Sequence, residues 1–212
     1  MAADRAPARR ALALFDFDGT LTTAETFGPF VRAAAPRWRV RVGGVLLAPL
    51  VLGYRLGLVS GPAVRAAVTW VAFAGVPAQR IAAHGAAFAR DAIPALLRPQ
   101  AMAWLEGHRA RGDAVAVVSG AFDAYLAPWC AQHGLVLIAS SLDERDGVLT
   151  GRYRGAQCVG TEKARRVREA FALDDFAAVH AYGDTAEDDA LLALADHRTY
   201  RGRVQPAPAS RP

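Results

Sequence analysis

The sequence predicts an α/β fold: a parallel sheet with helices on both faces, interrupted early by a long helical insert. Three observations predict it. Short apolar runs at residues 11–15, 114–118, 135–139 and 177–182 alternate with helical patterns, as in a sheet buried on both sides. Residues 22–100, between the first and second runs, carry only helical patterns. Three of the runs end in polar groups, Asp16 with Asp18, Ser119, and Asp184. A parallel sheet gathers its strand ends along one edge, where such folds place their chemistry.

The first run ends at Asp16-Phe17-Asp18-Gly19-Thr20. Side chains two apart in an extended segment point the same way, so both acids face one site. Gly19 permits a sharp turn. Residues 27–35 read as a helix stopped before Pro36, and 37–58 are apolar with interleaved arginine. Residues 62–74 and 77–93 read as helices with proline in the first turn. Residues 97–111 form an amphipathic helix ending at Gly112. The strand over 114–118 leads into Ser119-Gly120, followed by a helix over 122–133, Gly134, and a strand over 135–139. Asp146-Gly147, between the runs 142–145 and 148–154, marks a hairpin. A helix over 161–172, a strand over 177–182, a helix over 186–195 and a last strand over 197–200 follow. This divides the chain into a core of residues 11–21 plus 101–203, an insert of residues 22–100, and flexible ends at 1–10 and 204–212.

At 212 residues with 53% apolar side chains, the chain can bury one substantial core. Cys130 and Cys158 lack metal or redox spacing and read as neutral thiols in a cytosolic protein. Residues 1–10 lack the apolar core of a signal peptide. The five histidines show no metal spacing, and Trp38, Trp70, Trp104 and Trp129 fit helix packing better than base stacking. The net charge of +5 is unevenly placed: residues 22–100 hold nine arginines against two acids, Glu25 and Asp91. The insert would therefore meet an anionic partner, and nucleic acid is not expected, because the basic character is confined to one segment. Of 25 basic residues only Lys163 is a lysine, which suggests a place that needs a compact ammonium.

Two acids, a hydroxyl, an amine and a further acid pair are the groups a phosphoryl-transfer site needs. A carboxylate can attack phosphorus. A second acid can protonate the leaving oxygen and later activate water. Mg²⁺ takes hard oxygen ligands from one or two carboxylates.

From Leu12 to Arg201 the chain resembles the haloacid dehalogenase superfamily, and within it the phosphoserine-phosphatase-like members. Four motifs carry the resemblance in order: Asp16-Phe17-Asp18-Gly19-Thr20, Ser119-Gly120 after an apolar strand, Lys163 at the start of a helix, and Gly183-Asp184-Thr185-Ala186-Glu187-Asp188. The resemblance implies a three-layer Rossmann-like core with a helical cap. It implies Asp16 as nucleophile, Asp18 as general acid/base, and Ser119, Gly120 and Lys163 as phosphate contacts. It also implies Mg²⁺ held by Asp16, the Asp18 backbone carbonyl and Asp184, with Asp188 in support. Asp189 could take that supporting role, although a solvated helix charge is its plainer reading. Asp18 favours ester hydrolysis over the family's dehalogenases and cation-pumping ATPases, which lack an acid there.

Glu25 falls where cap-bearing relatives place a substrate-contacting glutamate; as a helix N-terminal acid it would equally satisfy a helix dipole. Thr26-Phe27-Gly28-Pro29-Phe30 and Leu194-Ala195-Asp196-His197-Arg198 look like segments of type C phosphatidylglycerophosphate phosphatases, enzymes of phospholipid metabolism. The expected activity is thus hydrolysis of a phosphomonoester, on a lipid phosphate or on a small soluble ester such as phosphoserine. A signalling receiver shares the acceptor acid, hydroxyl and lysine, but the insert and Asp18 argue against it. A non-catalytic binding module on the same scaffold is the remaining alternative. Residues 42–54 carry no charge between Arg41 and Arg55 and are too short to span a bilayer. They read as a buried cap helix, or alternatively as an apolar patch ringed by arginine that touches anionic membrane. The expected location is the cytoplasm, with peripheral contact at the inner membrane face in the second case.

Overall fold

The computed structural model describes residues 9–206. Six strands form one sheet in the order β3-β2-β1-β6-β7-β8. These are β1 (Leu12–Phe15), β2 (Ala114–Phe122), β3 (Val136–Ser140), β6 (Val179–Gly183), β7 (His197–Tyr200) and β8 (Arg203–Val204). All pair in parallel except β8, which runs antiparallel to β7. Strands β4 (Leu142–Arg145) and β5 (Val148–Tyr153) form the separate hairpin predicted around Asp146-Gly147.

The sheet is buried on both faces, and its central strand β1 is apolar at every position. In β1 all four residues are fully buried. Strand alternation then sends Ala13 and Phe15 to one apolar cluster and Leu12 and Leu14 to another. The second cluster is closed by α8 (Thr161–Ala170) and α9 (Asp189–Leu192) through Ala164, Val167, Leu191 and Leu192. The first is closed by α6 (Pro99–Ala110) and α7 (Asp123–His133) through Ala101, Leu105, Tyr125 and Trp129. These are the three predicted layers.

The insert comprises α1 (Phe27–Ala34), α2 (Arg37–Leu46), α3 (Ala48–Arg55), α4 (Gly61–Phe73) and α5 (Ala78–Asp91). It leaves and re-enters the sheet layer through one doorway, where Thr22 bridges Leu97 and Arg98 N–H donates to Leu21 O at 2.8 Å. Its inner helices join the first apolar cluster: Phe30, Phe73, Ile81 and Phe88 share it with Phe122 and Tyr125. At Gly85 a β-carbon would lie 1.9 Å from the Ala124 carbonyl oxygen, so only glycine lets α5 approach α7 this closely. The hairpin also supports the insert, since Gly75 and Leu149 exchange backbone hydrogen bonds with Leu149 and Val76 at 2.8 and 2.9 Å.

Four expectations are corrected. The helix over 186–195 is a 3₁₀ turn, Ala186–Asp188, followed by the four-residue α9. Asp188 accepts from the amides of Asp184 and Thr185 just before the turn, a capping box that fixes where the turn begins. The end of the chain is ordered through residue 206: Arg201 and Gly202 turn, β8 pairs with β7, and Gln205 N–H reaches Arg198 O at 2.9 Å. Residues 1–8 and 207–212, read as flexible ends, lie outside the described residues.

The third correction concerns residues 42–54, which do not form a buried cap helix. They are divided between α2 and α3 on the outer side of the insert, and within these two helices only Gly43 is buried. Val45, Leu46 and Leu52 are 76%, 66% and 57% exposed, so this surface is apolar and open. Fourth, Trp38 and Trp70 are exposed, so helix packing accounts only for Trp104 and Trp129. Cys130 and Cys158 are free and buried, and burial pushes their thiols up to about 12 and about 11, which keeps them neutral.

Candidate active site

Asp16 is the first residue past β1. Its N–H still donates to Tyr182 O at 2.9 Å, which pins it beside the end of β6, where Asp184 begins the next loop. On the other flank, Ser119 lies in β2 where the pairing with β3 shifts register. Ser119 is buried, and its Oγ accepts a hydrogen bond from Ala121 N–H at 3.1 Å. Lys163 enters from the first turn of α8, preceded by Gly160 in a positive-φ conformation. Four distant segments thus meet at one edge. They line a pocket of about 250 Å³ that includes Asp16, Asp18, Glu25, Ser119, Gly120 and Lys163.

Lys163 is the hub. Its buried Nζ donates to Asp16 Oδ1 at 2.5 Å and to Asp188 Oδ1 at 2.6 Å. Burial alone would lower its pKa, but the two carboxylates more than offset this and hold it protonated. Burial raises Asp16 to about 8; Lys163 opposes that rise and Asp188 adds to it. Asp184, half-buried, is raised by desolvation and by Asp188. Single oxygens of Asp16, Asp184 and Asp188 lie within 4.8 Å of one another. Three acids around one ammonium gather hard oxygen donors whose joint ionisation burial opposes, and a divalent cation would compensate that charge.

Asp188 belongs to this cluster, whereas Asp189 is exposed and outside it. The second oxygen of Asp188 accepts from Asp184 N–H and Thr185 N–H, both at 3.0 Å, so this side chain also shapes the loop that presents Asp184. Two glycines make the approach possible. A β-carbon at Gly183 would lie 2.5 Å from Asp188 Cβ, and one at Gly19, where φ is +79°, would lie 2.2 Å from an Asp184 carboxylate oxygen.

Asp18 follows a different path. Its carboxylate is not part of the acid cluster; it turns toward the insert and accepts from Thr26 N–H at 2.9 Å and Thr26 Oγ1 at 2.6 Å. The Thr26 hydroxyl also meets the buried Tyr125 hydroxyl at 2.7 Å. Burial raises Asp18 to about 7, against the Thr26 hydrogen bonds and with help from Glu25. A carboxyl near 7 is half protonated at neutral pH, which suits proton transfer in both directions. Glu25 stands exposed at the pocket rim, its pKa raised by partial desolvation against the pull of Arg65.

Arg65, Thr26, Tyr125 and Thr20 escaped the sequence reading. Arg65 donates from α4 to Glu187 Oε1 at 2.8 Å and to Gln157 Oε1 at 3.0 Å, tying the insert to the core at the pocket wall. Its one available signal was being the only charge in α4. Thr20 Oγ1 donates to Asp184 Oδ1 at 3.3 Å. A larger cavity of about 350 Å³ lies behind Gly19 and Asp184, lined by Arg98, Trp104 and Arg201. It lacks Asp16, Asp18 and Lys163, so the chemistry belongs to the smaller pocket.

Lys163→Arg is expected to lose activity nearly as fully as Lys163→Ala, by about 10²–10³-fold in kcat. The cleft holds a buried point charge between two acids at 2.5 and 2.6 Å, contacts that a planar fork on a longer side chain does not reproduce. Steady-state kinetics of both variants, beside thermal melts, checks this. Retention of wild-type kcat by the arginine variant refutes it.

The raised acids also predict a pH effect on stability. Between about pH 4 and 8 the folded, metal-free protein holds protons on Asp16 and Asp18 that the unfolded chain has released. Their contribution is therefore present at low pH and lost as pH rises through about 7 and 8. His108 and His180, both lowered by burial, act oppositely below their ordinary value of 6.5. Above that value the histidine effect fades and the raised acids set the slope. The melting temperature of metal-free protein should fall from pH 6.5 to 8, and Asp16→Asn should flatten the slope. An equal slope in the variant rejects the assignment.

The chain matches the haloacid dehalogenase-like hydrolase family over residues 13–193. Protein CicA of Caulobacter vibrioides strain NA1000 / CB15N is 37% identical over 193 residues, covering 90% of this chain and 85% of CicA. A Bordetella pertussis Tohama I protein described as of unknown function superposes with a TM-score of 0.74 at 28% identity, covering 90% of this chain and 89% of that one. A substrate-bound phosphoserine phosphatase shares the fold with a TM-score of 0.64 at 20% identity, covering 91% and 86%.

Proposed function

The chain belongs to the haloacid dehalogenase-like hydrolase family, and from that premise we propose that it is a Mg²⁺-dependent phosphomonoester hydrolase working through an aspartyl-phosphate. One observation carries the reading. A buried carboxylate, Asp16, is held by Lys163, and a second carboxyl two residues on, Asp18, is poised near neutral pH.

An Asp16 carboxylate oxygen attacks phosphorus, the bond from phosphorus to the alcohol oxygen breaks, and Asp18 gives that oxygen its proton. Asp18, now anionic, takes a proton from a water molecule that attacks the phosphorus. The bond from phosphorus to Asp16 breaks and phosphate leaves. Lys163, Ser119 and the backbone at Gly120 face the charge on the phosphoryl oxygens. Asp16, Asp184 and the Asp18 backbone carbonyl would hold Mg²⁺, with Asp188 supporting the site. When bound, the ion supplies positive charge that screens the approach of one anion to another.

The first test is phosphate release from p-nitrophenyl phosphate, phosphoserine and a lipid phosphate, with Mg²⁺ or with chelator. Mg²⁺-dependent release is expected, and no release from any monoester sinks the reading.

We favour a lipid phosphate at an anionic membrane as the substrate. In support, Leu46, Leu52, Leu56 and Leu58 are exposed on and just after α2 and α3. Arg37, Arg41 and Arg55 are exposed beside them, and residues 26–90 contain no acid. Tyr54 of α3 lines the catalytic pocket, so the same element reaches both surface and site. No helix among the described residues is long and apolar enough to cross a membrane, so contact would be peripheral, at the inner face. Each arginine near an anionic surface contributes on the order of 1 kcal/mol, giving salt-sensitive attachment. The protein should sediment with anionic vesicles at low salt, less at high salt, and less when Arg37, Arg41 and Arg55 are all serine. Wild type that ignores the vesicles and hydrolyses only phosphoserine favours the soluble-ester reading.

A further inference from the structure

The insert carries an apolar cavity of about 420 Å³, partly open to solvent and walled by α1, α2, α3 and α4. Its walls include Phe27, Val31, Leu47, Val51, Val68 and Val71. We infer that this cavity is a slot for the alkyl chain of the phosphate ester that enters the catalytic pocket. The inference rests on the phosphomonoester reading above and deepens it by naming where in the insert the apolar chain of the alcohol would lie.

Three observations lead there. First, the cavity adjoins the catalytic pocket, because Phe27 lines both. Phe27 is the ring that separates the two spaces, and a ligand with its phosphate at Asp16 would run its chain past that ring into apolar space. Second, the apolar side chains that line the cavity leave it open rather than packing it shut. This space has the size of a ligand pocket. Third, charge complements the occupant. No carboxylate lines the cavity, and the two charged residues that do are Arg32 and Arg39. Arg39 is tied to the end of α4, donating to Ala74 O at 2.5 Å, while Arg32 is exposed. An anionic amphiphile is thus accepted, its apolar chain meeting apolar side chains and its charge meeting arginine.

The glycines of α2 set the width. A β-carbon on Gly43 would meet Val71 Cγ1 at 2.9 Å, so Gly43 closes α2 onto α4 at that point. At Gly44, which also lines the cavity, a β-carbon meets nothing within 4 Å. A side chain introduced there occupies the slot without a clash at Cβ, and replacing glycine inside a helix favours the helix.

The test uses the full chain and n-alkyl phosphonates of two to ten carbons, which bind without turnover, titrated calorimetrically below their micellar concentrations. Affinity is expected to rise about fourfold per methylene, the change that full burial of a CH₂ gives, until the slot is filled. Gly44→Leu, and separately Val68→Trp from the opposite wall, should cut the decyl-over-ethyl ratio at least tenfold, with folding followed by circular dichroism. A flat chain-length series, or a steep one unaltered in both folded variants, overturns the slot. Hydrolysis of ethyl phosphate separates the two readings. Turnover with a flat series leaves the hydrolase standing without the slot, and a steep series without turnover leaves the slot standing without the hydrolase.

Discussion

Asp16→Asn abolishes turnover, a loss on the order of 10⁶ in kcat, the scale seen when a covalent nucleophile is removed. An amide oxygen is a far weaker nucleophile than a carboxylate, and the variant also removes one oxygen donor from the acid cluster. Folding should survive. Asp16 sits in a site where burial raises it to about 8, so a neutral isostere removes the desolvation cost of its charge and the repulsion with Asp188, which together outweigh the lost attraction of Lys163. The metal-free variant should therefore melt higher than wild type at pH 8 while being inactive. That pairing of gain and loss distinguishes a functional site from a damaged core. Trapping the wild type with labelled ester and mapping peptides should place phosphate on Asp16. Label on Ser119, whose hydroxyl is buried in the same pocket, would falsify the mechanism.

Asp18→Asn slows turnover by about 10²–10⁴-fold for an alkyl ester, the usual scale of general acid/base help. The loss should shrink for p-nitrophenyl phosphate, whose leaving group departs without a proton. In wild type, kcat/KM for alkyl esters should fall as pH rises above about 7, because the first step needs protonated Asp18. The variant should lack that limb. Thr26→Val offers a second handle. Removing the Thr26 hydroxyl takes away one of the two hydrogen bonds that oppose the burial effect on Asp18. The limb should then move to higher pH. An equal loss for every leaving group, accompanied by loss of Mg²⁺ affinity, would make Asp18 a metal-site residue instead.

Much of this architecture was legible before any coordinates. The apolar runs ending at Asp16, Ser119 and Asp184 name their own strands, because a residue buried on both faces of a sheet must be apolar wherever it falls. The hairpin at Asp146-Gly147 and the glycine-ended helices are local turn chemistry, and Asp146 does adopt positive φ. Lys163 was legible through composition: one lysine among 24 arginines marks a position where the two are not interchangeable.

What the sequence could not show depends on contacts between distant segments. Thr26 and Tyr125 are 99 residues apart, and nothing local in either ties them to Asp18. Arg65 reads as another arginine of a basic insert until α4 is laid against Glu187 and Gln157. The choice of Asp188 over Asp189 is a matter of which neighbour the 3₁₀ turn points inward, and one residue of helical phase reverses it. Residues 42–54 had the composition of a core helix, and composition alone cannot say whether apolar side chains find partners. So the sequence by itself determined the strand ends, the acids and the lone ammonium, because periodicity and residue chemistry are local. The tertiary structure alone decided which side chains meet, which carboxyls burial raises, and that an apolar face stays open, because proximity and desolvation belong to the folded chain as a whole.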